Sequence, residues 1–163
     1  MFVTNLNLRN NTARVLSSSF IVEQPSTTHD FEIYYQLRYQ VLRKPWGQPL
    51  GSELDETDNT SIHAFIKAGG KAIACARLHW VDNITSQIRY MAVHPDYQGR
   101  GLGKLVINYL EEISKQNNRL EIILHARENA VDFYKNCGYT INEKSYLLWG
   151  KIQHFLMQKH LRI

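Results

Sequence analysis

The stretch that decides the fold is Val93-His94-Pro95-Asp96-Tyr97-Gln98-Gly99-Arg100-Gly101-Leu102-Gly103-Lys104. A β-type run, residues 88–93, leads into it, and a helical run, residues 102–116, follows it. The first backbone N–H groups of a helix have no intrahelical partner, and the macrodipole adds partial positive charge there, so a glycine-rich turn at this place suits an anion. Arg100 and Lys104 add full positive charges. We interpret the turn as the diphosphate site of a nucleotide-like ligand.

The composition limits the classes of protein to which the chain can belong. A chain of 163 residues with 44% hydrophobic and 21% charged residues predicts one soluble globular domain. Its net charge of +4 suits an anionic ligand, but no run of Lys and Arg resembles a nucleic-acid-binding arm, and no apolar run approaches the roughly 18–20 residues of a membrane span. Cys75 and Cys137 lie far apart and not in a metal spacing, so we expect reduced thiols, a cytoplasmic protein and no metal.

The first 19 residues differ from the rest. They include Arg9 and Arg14, and no acidic residue precedes Glu23. This composition is similar to an organelle transit peptide, but a short tail outside the core is the more common arrangement, and the apolar stretch of a secretory signal is missing. We expect residues 1–19 to be a tail and residues 20–163 to form the domain.

Strand and helix patterns alternate along the rest of the chain. Apolar residues at helical spacing predict helices over residues 28–42, 102–116 and 128–137, and residues 44–52 are a loop or a broken short helix. The predicted strands are residues 20–23, 61–68, 71–81, 86–93, 120–125, 139–148 and 151–157. Since a helix connects residues 120–125 to the preceding strand, we expect these two strands to be parallel and the later one to be central. The order indicates an α/β fold with a mixed sheet.

Two familiar glycine-rich motifs do not fit the decisive stretch. A dinucleotide-binding G-x-G-x-x-G fails because its last position falls on Lys104 or Val106. A P-loop, G-x-x-x-x-G-K-[ST], fails because Gln98 and Leu105 stand at its first and last positions.

The pattern that fits is Gln98-x-x-Gly101-x-Gly103, and it resembles the (Q/R)-x-x-G-x-(G/A) motif of the GNAT family of N-acetyltransferases. Ala130-x-x-Phe133-Tyr134-x-x-x-Gly138-Tyr139 is similar to the family's second signature and follows at the expected distance. The resemblance covers about residues 20–159. It implies a single-domain GNAT-like fold of the α/β (α+β) class, with a mixed, mostly antiparallel sheet of six to seven strands flanked by about four helices.

The resemblance also implies an activity. The protein would use acetyl-CoA to acetylate a primary amine, on a small molecule or peptide, by direct attack of the amine on the thioester. Tyr134 would be the general acid, since a phenol with a pKa near ~10 is protonated at pH 7, although a core aromatic is the plainer interpretation. A non-catalytic acyl-CoA-binding module with the same fold is the alternative function. The residues implied to bind the donor are Met91, Ala92, Val93, Gln98, Gly99, Arg100, Gly101, Leu102, Gly103, Asn129 and Tyr134.

The general base is not determined by any motif. Glu53 is a candidate because it lies in an acidic segment, residues 53–58. This segment is either a solvated loop or a site that attracts a cationic acceptor such as a polyamine, an aminoglycoside or a peptide N-terminus. His154 is a candidate because residues 150–157 are similar to the G-I-x-H-x-x-M ending of one bacterial GNAT subgroup. The remaining base candidates are Asp55, Glu56, His63 and His79.

Two further expectations concern the sheet. Arg77 and Tyr90 lie on predicted strands and either line the site or belong to the sheet surface. Exposed edge strands suggest a homodimer.

Overall fold

A computed structural model describes residues 20–162; the tail expected over residues 1–19 lies outside them. The described part contains a seven-stranded sheet and three α-helices. The strands are β1 (Val22–Glu23), β2 (Ile62–Ala68), β3 (Lys71–Trp80), β4 (Thr85–Val93), β5 (Glu121–Arg127), β6 (Thr140–Leu148) and β7 (Ile152–His160). The helices are α1 (Thr28–Leu42), α2 (Leu102–Gln116) and α3 (Val131–Asn136).

The first helix begins where its capping residues place it. The Thr27 side chain accepts a hydrogen bond from the backbone N–H of Asp30 at 3.0 Å, and the Asp30 carboxylate accepts one from the backbone N–H of Thr27 at 3.3 Å, which forms a capping box. The same carboxylate pairs with Lys67 of β2 at 2.9 Å. The N-terminus of α1 is therefore tied to the sheet, and its C-terminal end is left to border the centre of the molecule.

The sheet order is β1-β2-β3-β4-β5-β7-β6, and only β4 and β5 are parallel. The prediction of a central strand parallel to β4 is confirmed. The β4–β5 ladder covers only residues 85–88 against 121–124. Beyond Ile88 the pairing of β4 with β3 is irregular and Tyr90 adopts a φ of 54°, a conformation that bends a strand away from a neighbour. The two strands therefore diverge and open the middle of the sheet.

Two hydrophobic clusters stabilise the fold, one on each face of the sheet. The apolar stripe of α2, with Val106, Ile107 and Leu110, packs in one cluster, and Ile33, Tyr34 and Leu37 of α1 pack in the other. Because β3 contributes to both clusters, it is buried without a break from Ala72 to Leu78.

The number of helices is slightly lower than the four expected. Residues 44–52 contain only a single 3-10 turn, Lys44–Trp46, which ends at Gly47 with a φ of 67°. The helix predicted over residues 128–137 begins as a 3-10 turn, Glu128–Ala130, before it becomes α3. Within residues 20–162, no helix combines the length and the apolar character needed to cross a membrane.

Candidate active site

A cavity of about 620 Å³ occupies the opening between the diverging ends of β4 and β5. Its walls also include the C-terminal end of α1, the turn before α2, the start of α3 and parts of β6 and β7. The predicted donor-binding residues that line it are Met91, Ala92, Val93, Gln98, Gly99, Gly101, Leu102, Gly103, Asn129 and Tyr134. The fold thus brings two separate sequence motifs to one place.

The glycine-rich turn presents its backbone to this cavity. Gly99 and Gly101 have φ values of 74° and 78°, and Gly101 caps α2 without any side-chain hydrogen bond to the helix N-terminus. The first N–H groups of α2 are therefore free to bind an anion. Arg100 does not line the cavity; its guanidinium donates to the Asp96 carbonyl at 3.1 Å and lies over the ring of Tyr97.

Gly103 serves packing between helices. A Cβ built on this residue would lie 3.0 Å from Cζ of Phe133, so any side chain here would require the Phe133 ring to shift. This packing holds the turn against the segment that carries Tyr134.

Tyr134 is buried at the wall of the cavity. Its ring packs edge-on against Phe133 and Tyr139, at centroid distances of 5.0 and 6.0 Å. Its hydroxyl makes no hydrogen bond to any of residues 20–162, and burial raises the pKa of the phenol. The hydroxyl is therefore protonated at neutral pH and has a proton to donate.

His154 lines the same cavity from β7. Its Nδ1 lies 3.0 Å from the Ile152 carbonyl, and because a carbonyl can only accept, Nδ1 holds the proton and Nε2 keeps a lone pair. The imidazole stacks on Tyr146 at 4.5 Å. Burial lowers the pKa of His154, and the charge of Arg127 lowers it further. The ring is therefore neutral at pH 7 and able to accept a proton.

Glu53 lies outside the cavity lining. It is buried, and its carboxylate accepts a hydrogen bond from the Gly51 backbone N–H at 2.8 Å. Of the other base candidates, His63 is held by the Tyr34 hydroxyl at 2.9 Å and the Asp58 carbonyl at 2.8 Å, and neither it nor His79 lines the cavity. Among the six candidate bases, only His154 lines the cavity that Tyr134 also lines.

The acidic segment has a structural role. Arg77 Nη1 lies 2.6 Å from Asp55 and 2.8 Å from Asp58, and Arg38 lies 2.9 Å from Asp58. These charge-assisted bonds hold the pKa of both aspartates below its ordinary value, although burial opposes the shift. These aspartate charges are paired with buried arginines, and no residue of the segment lines the cavity. Arg77 is therefore an interior residue, whereas Tyr90 does line the cavity.

Several cavity residues were not predicted from the sequence, namely Arg43, Arg89, His125, Arg127 and Tyr146. His125 and Arg127 lie two residues apart on β5 and therefore share a face, which strand alternation could have shown. Pairing of Arg127 with His154 depends on the β5–β7 register, which no local pattern specifies.

Among the described residues, no group of three or more His, Cys, Asp or Glu side chains is arranged to hold a metal ion. Both cysteines are buried and free.

Comparison with known proteins agrees with this fold. The model of the acetyltransferase (GNAT) family matches residues 27–139. A Bacillus subtilis (strain 168) protein named "Uncharacterized N-acetyltransferase YjcF" is 27% identical over 125 residues, which are 77% of this chain and 89% of that protein.

Solved structures share the architecture. An aminoglycoside 6'-N-acetyltransferase complexed with coenzyme A superposes with a TM-score of 0.74 at 13% identity, over 88% of this chain and 98% of that one. A GNAT family acetyltransferase from Elizabethkingia anophelis with acetyl-CoA bound superposes with a TM-score of 0.68 at 15% identity, over 88% of this chain and 99% of that one. At these identities the likeness shows the fold alone.

The fold and the match to more than half of the chain define the class: the chain belongs to the acetyltransferase (GNAT) family. It is an N-acetyltransferase of the acyl-CoA-dependent kind.

Proposed function

We propose that the protein transfers an acetyl group from acetyl-CoA to a primary amine by direct attack, with His154 as general base and Tyr134 as general acid. The observation that supports this most is the convergence of an anion-binding turn, a proton acceptor and a proton donor on one cavity.

The donor site suits the chemistry of the ligand. A diphosphate matches the free backbone N–H groups at the start of α2, and the glycines at positions 99 and 101 leave that backbone uncovered. The edge of β4 beyond Ile88 has lost its β5 partner, so its main-chain groups can bond to the amides of a pantetheine arm. Two structures with the same fold were determined with coenzyme A or acetyl-CoA, which supports this assignment of the donor.

The two proton-transfer residues divide the reaction between them. The thioester, when bound, supplies an acyl group activated for attack by a neutral amine. His154 Nε2 removes a proton from the incoming ammonium, and the Tyr134 hydroxyl gives a proton to the departing sulfur as the N–C bond forms and the C–S bond breaks. The attacking nitrogen loses its second proton to solvent as the amide forms, Tyr134 regains a proton from solvent, and His154 releases its proton to solvent.

The test is CoA release from acetyl-CoA in the presence of a panel of primary amines, measured with a thiol reagent. We expect amine-dependent release that saturates in both substrates. Binding of acetyl-CoA with no release for any amine would instead identify a non-catalytic acyl-CoA-binding module.

A further inference from the structure

Three arginines give the cavity its charge. Arg43, Arg89 and Arg127 line it, and its lining contains no Asp or Glu among the residues that the structure describes. They come from the C-terminal end of α1, the middle of β4 and the end of β5. We refer to these three residues as the arginine cluster.

Two members of the cluster lie side by side without counter-ions. Arg43 and Arg127 both donate to the Leu42 carbonyl, at 3.1 and 3.2 Å. Neither has a carboxylate within 4.0 Å in residues 20–162. Burial lowers the pKa of each guanidinium, and the charge of Arg43 lowers that of Arg127 further. Two half-buried like charges at close range are unfavourable, and an anion between them would offset that cost.

The third member faces the same space. Arg89 is 43% exposed and lies 3.5 Å from Oδ2 of Asp55, whose Oδ1 lies 2.6 Å from Arg77, so Arg89 shares its counter-ion with a buried arginine. Tyr146 lines the same cavity, and all three arginines oppose the rise that burial causes in its pKa. Arg127 stands opposite His154 in the β5–β7 ladder, so the cluster reaches the proposed base.

We propose, on the basis of the proposed function, that the acceptor is an amine that also carries an anionic group, a carboxylate or a phosphate, and that the arginine cluster binds this group while the amine faces His154. Guanidinium groups match carboxylate and phosphate oxygens as paired donors. A polycation such as a polyamine or an aminoglycoside would be repelled by the same charges. The proposal replaces the cationic acceptor suggested by the acidic segment, whose aspartates are paired with buried arginines.

The substrate test compares amines that differ only in their far end. The four-carbon set is 4-aminobutyrate, butylamine and putrescine, and it tests a carboxylate. The two-carbon set is phosphoethanolamine and ethanolamine, and it tests a phosphate. We expect kcat/KM for the anionic member to exceed that for the neutral member by about 10- to 100-fold, the range of one or two charged hydrogen bonds. Equal or higher values for butylamine or putrescine would overturn the proposal and leave the acetyltransferase function intact.

A charge reversal tests the cluster directly. Arg89→Glu is suited to this because the side chain is 43% exposed and its ion pair with Asp55, at 3.5 Å, is longer than the 2.6 Å pair of Arg77 with the same carboxylate. We expect KM for the anionic amine to rise about 10- to 100-fold, KM for acetyl-CoA to stay unchanged and putrescine to become the better substrate. Arg162→Glu, at an exposed arginine beyond the last strand and outside the cavity, is the charge-matched control and leaves both KM values unchanged. An increase in KM for acetyl-CoA alone would assign the cluster to the donor and overturn the proposal.

Binding can be followed without turnover because two tryptophans contact the cluster. Trp149 lies 5.4 Å from the Arg43 guanidinium and Trp46 lies 5.9 Å from that of Arg127. In a Trp80→Phe background with saturating CoA, we expect 4-aminobutyrate or phosphoethanolamine to change the fluorescence and putrescine not to. If no amine is acetylated but the anionic ligand binds, the proposed function fails, while the assignment of the arginine cluster to an anionic group stands. If neither anionic amine binds, the inference fails.

Discussion

Gly101 and Gly103 lie two positions apart in one motif, and each is a glycine for a different physical reason. Gly101 needs its left-handed backbone, with a φ of 78°, while a Cβ on it would meet nothing within 4 Å. Gly103 has ordinary backbone angles, and a Cβ on it would lie 3.0 Å from the Phe133 ring, which would have to shift. The motif alone predicts that glycines are required. Only the tertiary structure shows that Gly101 is required for its backbone conformation and Gly103 for the space beside Phe133.

We predict that Gly101→Val raises KM for acetyl-CoA at least about tenfold and lowers the free energy of unfolding by about 1–2 kcal/mol, the usual cost of a left-handed conformation for a residue with a Cβ. Steady-state kinetics and urea unfolding measure the two effects.

The matched control is Gly69→Val, in the β2–β3 hairpin, where φ is 57° and a Cβ also meets nothing within 4 Å. It should lower stability to a similar extent and leave KM unchanged. An unchanged KM in Gly101→Val would remove the assignment of the turn to the diphosphate.

For Tyr134, we predict that Tyr134→Phe lowers kcat about 100-fold, in the range of general-acid contributions, with little change in KM for acetyl-CoA. Since the hydroxyl bonds to none of residues 20–162, the thermal midpoint should not fall.

Tyr139→Phe provides the opposite control, because the Tyr139 hydroxyl donates to Glu111 at 3.1 Å. This variant should lose about 1 kcal/mol of stability and keep its kcat. A full kcat in Tyr134→Phe at neutral pH would exclude Tyr134 as the acid.

His154 leads to a pH prediction. Burial, followed by the charges of Arg127, His125 and Arg43, lowers its pKa, while the Ile152 carbonyl opposes the shift. The imidazole is the active base only when neutral, so kcat should rise with pH through a midpoint below the ordinary histidine value of about 6.5 and stay level above it. The measurement is kcat at saturating substrates from pH 4.5 to 8.

His154→Gln should lower kcat about 100-fold and remove the fall in kcat at acidic pH. If kcat of the variant still fell at acidic pH with the same midpoint, a group other than His154 would be responsible for the pH dependence.

At the scale of elements, the opening between β4 and β5 depends on a buried ionic link. Arg38 of α1 and Arg77 of β3 are fully buried and hold Asp58, while Arg77 also holds Asp55. The Tyr90 hydroxyl donates to Asp55 at 3.1 Å. The link therefore fixes the segment before β2 against the irregular part of β4, at the point where β4 leaves β5.

We predict that Arg77→Met lowers the free energy of unfolding at pH 7 by about 3–5 kcal/mol, because it breaks buried ion pairs and leaves Asp58 with Arg38 alone and Asp55 with only its longer contact to Arg89. Asp55 and Asp58 have lowered pKa values in the folded protein, so their contribution is present above pH 3.8 and is lost as pH falls through the lowered values. Urea unfolding between pH 7 and pH 2 should show this loss in the wild type and a flatter curve in Arg77→Met. Equal slopes, or a stability like that of Arg162→Met, would contradict the role of the link.

At the scale of the whole molecule, local patterns located most elements. The capping box fixes the start of α1, and the apolar stripe of α2 gives its length and its buried face. The family resemblance is confirmed, and with it the seven-stranded sheet. The boundary between a tail and the domain after residue 19 stays a prediction, as do the assigned catalytic roles and the homodimer.

What the sequence determined by itself is therefore the set of local features: the turn that leads into α2, the order of strands and helices, and the motif that contains Tyr134. These depend on residues that are close along the chain. Only the tertiary structure decided that His154 stands in register with Arg127, that Asp55 and Asp58 are paired with buried arginines, and that Arg43, Arg89 and Arg127 meet in one cavity. The physical reason is that strand register and desolvated charge pairs join residues from distant parts of the chain, and no local periodicity encodes either.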